Sequence, residues 1–215
     1  MIMFGYADNL RRTQSDLVEQ MYILRAKTFF ERRGWSVEVK DNKEIDRFDA
    51  MNPLYVMSIS PRGKLLASLR LLPTTGPHML SEVFPETMAG AGIIRHPLIL
   101  ESSRFCVDSA AANNYMNTGL NTVTGELLVG LFEIAMKAAQ VNVVSVYDLF
   151  VERILRRAGC RFDRLGEPFV YDGLKTVAGI FEVSQVTIDS IRQRTDIHGD
   201  VFADIGDESR LSLKA

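Results

Sequence analysis

Two segments of this chain that read as buried strands carry charges in their interiors. Arg70 stands in Leu69-Arg-Leu-Leu72, and Glu101 and Arg104 stand in Ile99-Leu-Glu-Ser-Ser-Arg-Phe-Cys-Val107. An ion removed from water is costly unless it is paired, so these three need partners. The stretch Glu44-Ile-Asp-Arg-Phe-Asp49 can supply them through Asp46 and Asp49. Two arrangements meet that need. One is an inert network of ion pairs. The other is a charged pocket for a small zwitterion, with one carboxylate left to act as a base. Strand geometry sets a condition on the second: residues three apart on a regular strand face opposite sides. Glu101 and Arg104 therefore share a pocket only if a bulge lies between them.

Arg25, Phe29 and Trp35 form a second group. Arg25 and Phe29 are four apart, hence neighbours on one helix face, and Trp35 follows where that helix ends. An arginine beside two aromatic rings could hold a sulfonium or an adenine by cation–π contact and stacking, or could be core and snorkelling surface. His78, His96 and His198 fall in loops or the tail without ligand spacing, so no metal site is expected. Cys106 and Cys160 are too few for a disulfide scaffold and lack CxxC spacing.

These residues need elements to position them. Apolar spacing predicts a helix over Ser15–Arg33, capped by Thr13 or Ser15 and stopped by Gly34. Trp35–Val39 alternates like a strand. Leu54–Ile59 and Lys64–Leu72, joined by Ser60-Pro-Arg-Gly63, read as a hairpin. Pro73–Pro97 is rich in Gly and Pro and reads as an irregular excursion. Then come a strand over Leu98–Val107, a helix over Asn117–Gln140, a strand over Val141–Tyr147, and a helix over Phe150–Ala158 closed by Gly159. Leu174–Val183 reads as the last strand and Val186–Arg192 as a final helix. This is a mixed α/β order, with antiparallel pairing early and a crossover later. Residues 1–195 are expected to form one domain, with 196–215 a flexible tail.

The chain has 215 residues, 47% of them hydrophobic, and a net charge of −2. That suits one soluble domain and excludes a chain that grips nucleic acid through its overall field. The N-terminus lacks the pattern of a signal peptide, and no run approaches the ~18 apolar residues of a membrane span. A reduced, cytoplasmic protein with no membrane partner is expected.

Five motifs occur in order: Arg25-xxx-Phe29-xxxxx-Trp35, Glu44-x-Asp46-xx-Asp49, Ser68-Leu-Arg70-Leu-Leu-Pro-Thr74, Val83-Phe-Pro85 and Glu101-Ser-Ser-Arg-Phe105. Together they resemble the acyl-homoserine-lactone synthases, the LuxI-type autoinducer synthases of bacteria. The resemblance runs from Met1 to about Arg192, with Cys160 standing where many members have Trp. It implies an α/β, N-acetyltransferase-like (GNAT-like) three-layer α-β-α sandwich around a mixed, twisted sheet. It implies synthesis of a quorum-sensing N-acyl-L-homoserine lactone from S-adenosyl-L-methionine and an acyl thioester, on acyl carrier protein or coenzyme A. S-adenosylmethionine is then a substrate, and no cofactor is required. Arg25, Phe29, Trp35, Asp49, Arg104 and Phe105 would surround it. Glu101 would be the general base, acting through water, in a catalytic group with Arg70 and Asp46. Ser103 and Ser145 would border the acyl chain, with Val143, Tyr147 and Leu155 setting the pocket's depth. A monomer is expected.

Two absences separate this reading from its neighbours. The chain lacks the Gly-x-Gly-x-x-Gly fingerprint of a Rossmann-type methyltransferase. The stretch Asp108–Tyr115 carries no glycine, which disfavours a generic coenzyme-A-dependent N-acetyltransferase, the alternative alongside a non-catalytic module of the same fold. Arg153, Arg156, Arg157 and Arg161 make the densest basic patch, either a dock for an acidic carrier protein or a solvated helix face. No helix-turn-helix surrounds it, so no nucleic-acid partner is expected.

Overall fold

Antiparallel pairing builds most of one central sheet, and the parallel pairing of two neighbouring strands divides it. The computed structural model describes residues 1–88, 90, 92–115 and 119–202. In chain order the elements begin with β1 (Ile2–Tyr6), α1 (Ala7–Thr13), α2 (Ser15–Arg25), β2 (Val39–Lys40) and β3 (Lys43–Glu44). Next are β4 (Leu54–Ile59), β5 (Leu65–Pro73), α3 (Met79–Glu82), β6 (Ile99–Val107), α4 (Ser109–Tyr115) and α5 (Gly119–Lys137). The chain continues through β7 (Asn142–Asp148), α6 (Leu149–Arg157), β8 (Phe162–Arg164), β9 (Phe169–Tyr171), β10 (Leu174–Glu182) and α7 (Gln185–Thr195). The sheet order is β1-β4-β5-β6-β7-β10-β8, with β9 also on β10, while β2 and β3 form a separate hairpin.

Several sequence expectations change in detail. The first helix is α-helical only to Arg25, then widens into a π-helical segment over Ala26–Arg32. Its N-cap is Gln14, because α1 runs up to Thr13 and Thr13 Oγ1 turns back to Asn9 O. Neither β1 nor α1 was expected. The strand over Trp35–Val39 shrinks to Val39–Lys40, since Trp35 N and Val37 N form local bonds to Phe29 O and Trp35 O. Asp41 and Asn42, both at positive φ, then turn β2 into β3 and deliver Glu44 to the site. This is the geometry of a tight hairpin, for which Asp and Asn are well suited. The start of the helix expected from Asn117 lies outside the described residues.

Some residues of the segment expected to be a flexible tail are packed on the domain. Ile197 and Val201 are buried, Val201 O accepts from Ile2 N at 2.6 Å, and Phe202 bridges Ile2. These residues pair with the Ile2 end of β1 on its outer side, which is otherwise a sheet edge. Residues 203–215 lie outside the described residues.

Register assigns each residue a face, because paired residues project to the same side. Leu72 pairs Glu101, Arg70 pairs Ser103, and Glu101 pairs Val144. These side chains share one face, over which α1 and α2 pack against Tyr55, Met57 and Leu65. Leu71 pairs Ser102, Ser102 pairs Ser145, and Ser145 pairs Gly179 on the other face. There α5, α6 and α7 bury Leu127, Phe132, Leu155 and Ile188 with Val143 and Phe181. Helices on both faces of a mixed sheet make the three-layer α-β-α sandwich. Among the described residues, no helix is long and apolar enough to cross a membrane.

Candidate active site

The site begins where two strands part. β6 and β7 run parallel from Ile99–Asn142 to Ser102–Ser145, the last pair. Beyond it, β6 continues on β5 and β7 continues on β10, so a fork opens in the sheet. Ser145 Oγ donates to Ser102 O at 2.7 Å and satisfies the carbonyl at the point of divergence.

The bulge that the sequence required is present. On β5 the pairing steps from Arg70–Ser103 to Ser68–Cys106, so β6 spends one more residue than its partner. Arg104 takes the extra position with φ of +55°, a left-handed conformation uncommon for a side chain of this size. The parity shift keeps Glu101, Ser103 and Cys106 on the face of Arg70 and lets Arg104 reach the same carboxylates.

Those carboxylates number three, not two. Asp49 accepts from Arg25 Nη1 and Nη2 at 2.8 and 2.9 Å and from Arg70 Nη1 at 2.9 Å. Asp46 is bidentate to Arg70, at 2.5 and 2.9 Å, and meets Arg104 Nη2 at 2.8 Å. Glu44 accepts from Arg25 Nε at 2.5 Å and Arg104 Nη2 at 2.8 Å. Three guanidinium groups and three carboxylates thus balance. Asp46 also caps the helical turn Arg47–Met51, in a capping box with Asp49. Glu44 was not assigned as a partner from sequence, though charge balance could have found it: counting Arg25 with Arg70 and Arg104 leaves two aspartates one short.

Burial opposes ionisation of Asp49, but Arg25 and Arg70 outweigh it and hold the carboxyl well below its ordinary range. Burial likewise works against the charge on Arg25 and Arg70, and their carboxylates more than offset it. Arg104 differs: burial and two neighbouring guanidinium groups leave its pKa below the ordinary value. It is also the most exposed of the three arginines, and it lies 5.2 Å from the Phe29 ring.

Glu101 stands apart from this network. It is 1% exposed, and its oxygens accept from Met79 N at 2.9 Å and Leu80 N at 2.5 Å, at the start of α3. Burial pushes its pKa up, and the two backbone N–H groups only partly counter that. A carboxyl raised in this way can exchange protons nearer neutral pH, as a general base requires.

Two cavities meet at the fork. The inner one, about 80 Å³, is lined from the charged face by Phe29, Trp35, Ser103 and Arg104, and from the apolar face by Leu128, Leu131, Val143, Ser145, Tyr147 and Leu155. The outer one, about 860 Å³, is lined by Thr28, Arg32, Cys106, Phe150, Ile154 and Arg157, with Lys175 and Arg194. Arg33, Phe105, Asp148 and Val151 line both. Arg33 is ion-paired to Asp148, which caps α6 through Val151 N. Trp35 packs edge-on to Phe84 at 5.7 Å, and Phe84 to Tyr171 at 5.0 Å.

The expected charged residues are therefore brought together, but Asp46, Asp49, Arg70 and Glu101 line neither cavity, and two further placements differ from expectation. Arg25 is fully enclosed by Glu44 and Asp49 and does not line either cavity. The basic patch is partly spent: Arg156 and Arg164 pair with Glu152, and Arg161 with Glu182. Among the described residues, Arg153 and Arg157 enter no ion pair, and Arg157 instead joins Arg32, Lys175 and Arg194 around the outer cavity. Cys106 and Cys160 are buried and free, and burial pushes the Cys106 thiol up to about 11.

Residues 8–191 match the family described as autoinducer synthase. The acyl-homoserine-lactone synthase of Agrobacterium fabrum is 33% identical over 184 residues, 86% of this chain and 87% of that protein. The crystal structure of the AHL synthase LasI superposes with a TM-score of 0.80 at 30% identity, covering 90% of this chain and 94% of that one. BjaI, a CoA-dependent acyl-homoserine lactone synthase solved with SAM and isopentyl-CoA, gives 0.80 at 28%, covering 93% and 90%. At 19% identity and a TM-score of 0.56, a putative N-acetyltransferase from Lactobacillus plantarum shares the fold. The chain belongs to the autoinducer synthase family, and is an acyltransferase built on an N-acetyltransferase-like fold.

Proposed function

We propose that the chain makes an N-acyl-L-homoserine lactone from S-adenosyl-L-methionine and an acyl thioester, releasing methylthioadenosine. The observation that carries this reading is the cavity at the fork, where a charged wall from one face of the sheet meets an apolar wall from the other. An amino acid and an acyl chain could each approach from its own side and react between them.

On the charged side, Arg104 is the one of the three networked arginines that lines the cavity, and it suits the substrate carboxylate, while Arg33 there is ion-paired to Asp148. Phe29 and Trp35 offer faces to the sulfonium and the adenine. Asp46, Asp49, Glu44, Arg25 and Arg70 hold Arg104 in place rather than touching substrate. A free α-amino group has a pKa of about 7.7–8.0, so at neutral pH it must lose a proton before attack. Glu101 takes that proton. It does not itself line the cavity, so the path runs through a water beside Ser103. The amine then forms the amide bond while the C–S bond of the thioester breaks and the thiolate takes up a proton. Next the substrate carboxylate forms the C–O bond to its own γ-carbon, and the sulfonium leaves with the bonding pair as neutral methylthioadenosine. Holding both pairs of groups in line supplies much of the rate.

The outer cavity fits the donor's thiol arm, and its rim of Arg32, Arg157, Lys175 and Arg194 suits an acidic carrier protein. We place the reaction in the cytoplasm, on a monomer. Mass spectrometry of extract from a host expressing the chain tests the whole reading: an N-acylated homoserine lactone is expected, and its absence overturns it. Reversing Arg153 and Arg157 to Glu together is expected to lower kcat/KM for a carrier-bound donor by roughly tenfold at low salt, with a smaller effect on the coenzyme A thioester. Unchanged kinetics with the carrier-bound donor across a salt series would exclude that dock.

A further inference from the structure

Trp35 is the only tryptophan in the chain, and a turn far away in sequence grips the residue beside it. The indole is half-buried and lines the inner cavity. On the helix side the backbone is anchored, since Trp35 N donates to Phe29 O at 2.9 Å. On the other side the anchor is Asp172. Ser36 N donates to Asp172 Oδ2 and Ser36 Oγ donates to Asp172 Oδ1, each at 2.8 Å, between residues 136 positions apart.

Asp172 and Gly173 join β9 to β10, with Tyr171 pairing Leu174. Their φ values of +48° and +76° place both residues of this two-residue turn in the left-handed region. Asparagine or glycine would serve such a turn as well as aspartate, so the turn itself has no need of a carboxylate. Both carboxylate oxygens go to Ser36 instead. The same turn reaches Trp35 a second time, through rings. Tyr171 meets Phe84 edge-on at 85°, and Phe84 meets Trp35 edge-on at 86°. Tyr171 Oη donates to Glu86, two residues beyond Phe84, and so ties the middle ring to the turn. Ser36 and Asp172 are exposed, and hydrogen bonds at the surface add little to folding. Here they fix the backbone next to a wall of the cavity, where a small displacement is felt by whatever binds there.

We propose that Asp172 is a positioning residue for S-adenosylmethionine: by binding Ser36 it holds the Trp35 indole in the cavity wall, and so sets the affinity for that substrate and not for the acyl donor. The inference rests on the acyl-transfer reading above, in which Trp35 faces the sulfonium and the adenine.

The test compares the native chain with two variants. Asp172→Gly keeps the turn and removes both bonds. Asp172→Asn keeps the turn and can restore them, its amide oxygen accepting from Ser36 N and its NH2 donating to Ser36 Oγ. Because Trp35 is the sole tryptophan, acrylamide quenching of tryptophan fluorescence reads this indole alone. Asp172→Gly is expected to make Trp35 more readily quenched and to raise KM for S-adenosylmethionine about three- to tenfold. KM for the acyl donor and Tm should hardly move, and Asp172→Asn should bring both signals back toward native. An unchanged KM for S-adenosylmethionine, with the lactone still made, would overturn the proposal and leave the acyl-transfer reading intact. A rise of equal size for both substrates, with a lower Tm, would assign Asp172 a structural role and overturn it as well. So would a rise that Asp172→Asn leaves in place. No acyl-homoserine lactone from the native chain with any donor would remove both.

Discussion

Glu101→Gln is expected to lower kcat by about 10²–10⁴-fold, the usual contribution of a positioned general base, with little change in affinity for S-adenosylmethionine. The carboxylate is the only part removed from the reaction, because the charged wall at Arg104 belongs to a separate network. The variant has a structural consequence as well. Glutamine keeps one acceptor for Met79 N or Leu80 N but turns an amide N–H toward the other, leaving a buried donor unmet at about 1–3 kcal/mol. The pH profile separates the two effects. Burial raises the Glu101 pKa, so the native rate should climb with pH as the carboxyl ionises. That limb should vanish in the variant. The linked stability has the opposite sense: the folded state holds the proton more tightly than the unfolded chain, so native stability falls as pH rises from the ordinary carboxylate range to the raised value. Retained turnover with Tm intact would refute the assignment of Glu101 as base.

Asp49→Asn is expected to cost about 3–5 kcal/mol of folding stability, the usual penalty for stranding a buried charge. Asp49 accepts from Arg25 twice, from Arg70, from Tyr55 Oη at 2.8 Å and from Asp46 N at 2.9 Å. Asparagine of nearly the same shape removes the charge and presents N–H groups to donors. Three guanidinium groups would then face two carboxylates, with Arg25, Arg70 and Glu44 almost wholly shut off from water. Urea unfolding at neutral pH measures the loss. The pH dependence gives a second check, because Arg25 and Arg70 hold the Asp49 pKa below its ordinary range. Its stabilisation is complete above the unfolded carboxylate pKa of ~3.9 and fades as pH falls through the folded value. The variant should therefore show a shallower acid limb. A cost below about 1 kcal/mol, as for an exposed ion pair, would contradict the burial and coupling described for this network.

Much of the architecture is written in local patterns. The β4–β5 hairpin, the strands β6, β7 and β10 and the helices α2, α5, α6 and α7 follow from apolar periods of two and of 3.6 residues, which each segment carries within itself. Gly159, at φ of +92°, closes α6 as expected, since few other residues accept that backbone. Shorter elements escaped. β1 gains its identity from β4 and from Val201, far away in the chain, and the β2–β3 hairpin rests on two residues at positive φ.

For the site, composition and order identified the charged residues, and the solvation cost of a buried ion implied that they pair. Which pairs form was not encoded locally. Arg25, Glu44, Asp49, Arg70 and Arg104 meet across long stretches of chain, and Arg104 joins them only because an extra residue on β6 reverses the strand's alternation. The same holds for hydroxyls and surface cations. Ser145 and Tyr147 have the same spacing to any sequence pattern, yet one meets a carbonyl at the fork and the other meets none. Arg156 and Arg157 are adjacent, yet one is paired with Glu152 and the other faces the outer cavity. Side-chain type and strand period are properties of a few consecutive residues, so they survive in the bare chain. Hydrogen-bond satisfaction, ion pairing and the gap between two diverging strands depend on ångström-scale distances between distant segments, and those exist only once the sheet has closed.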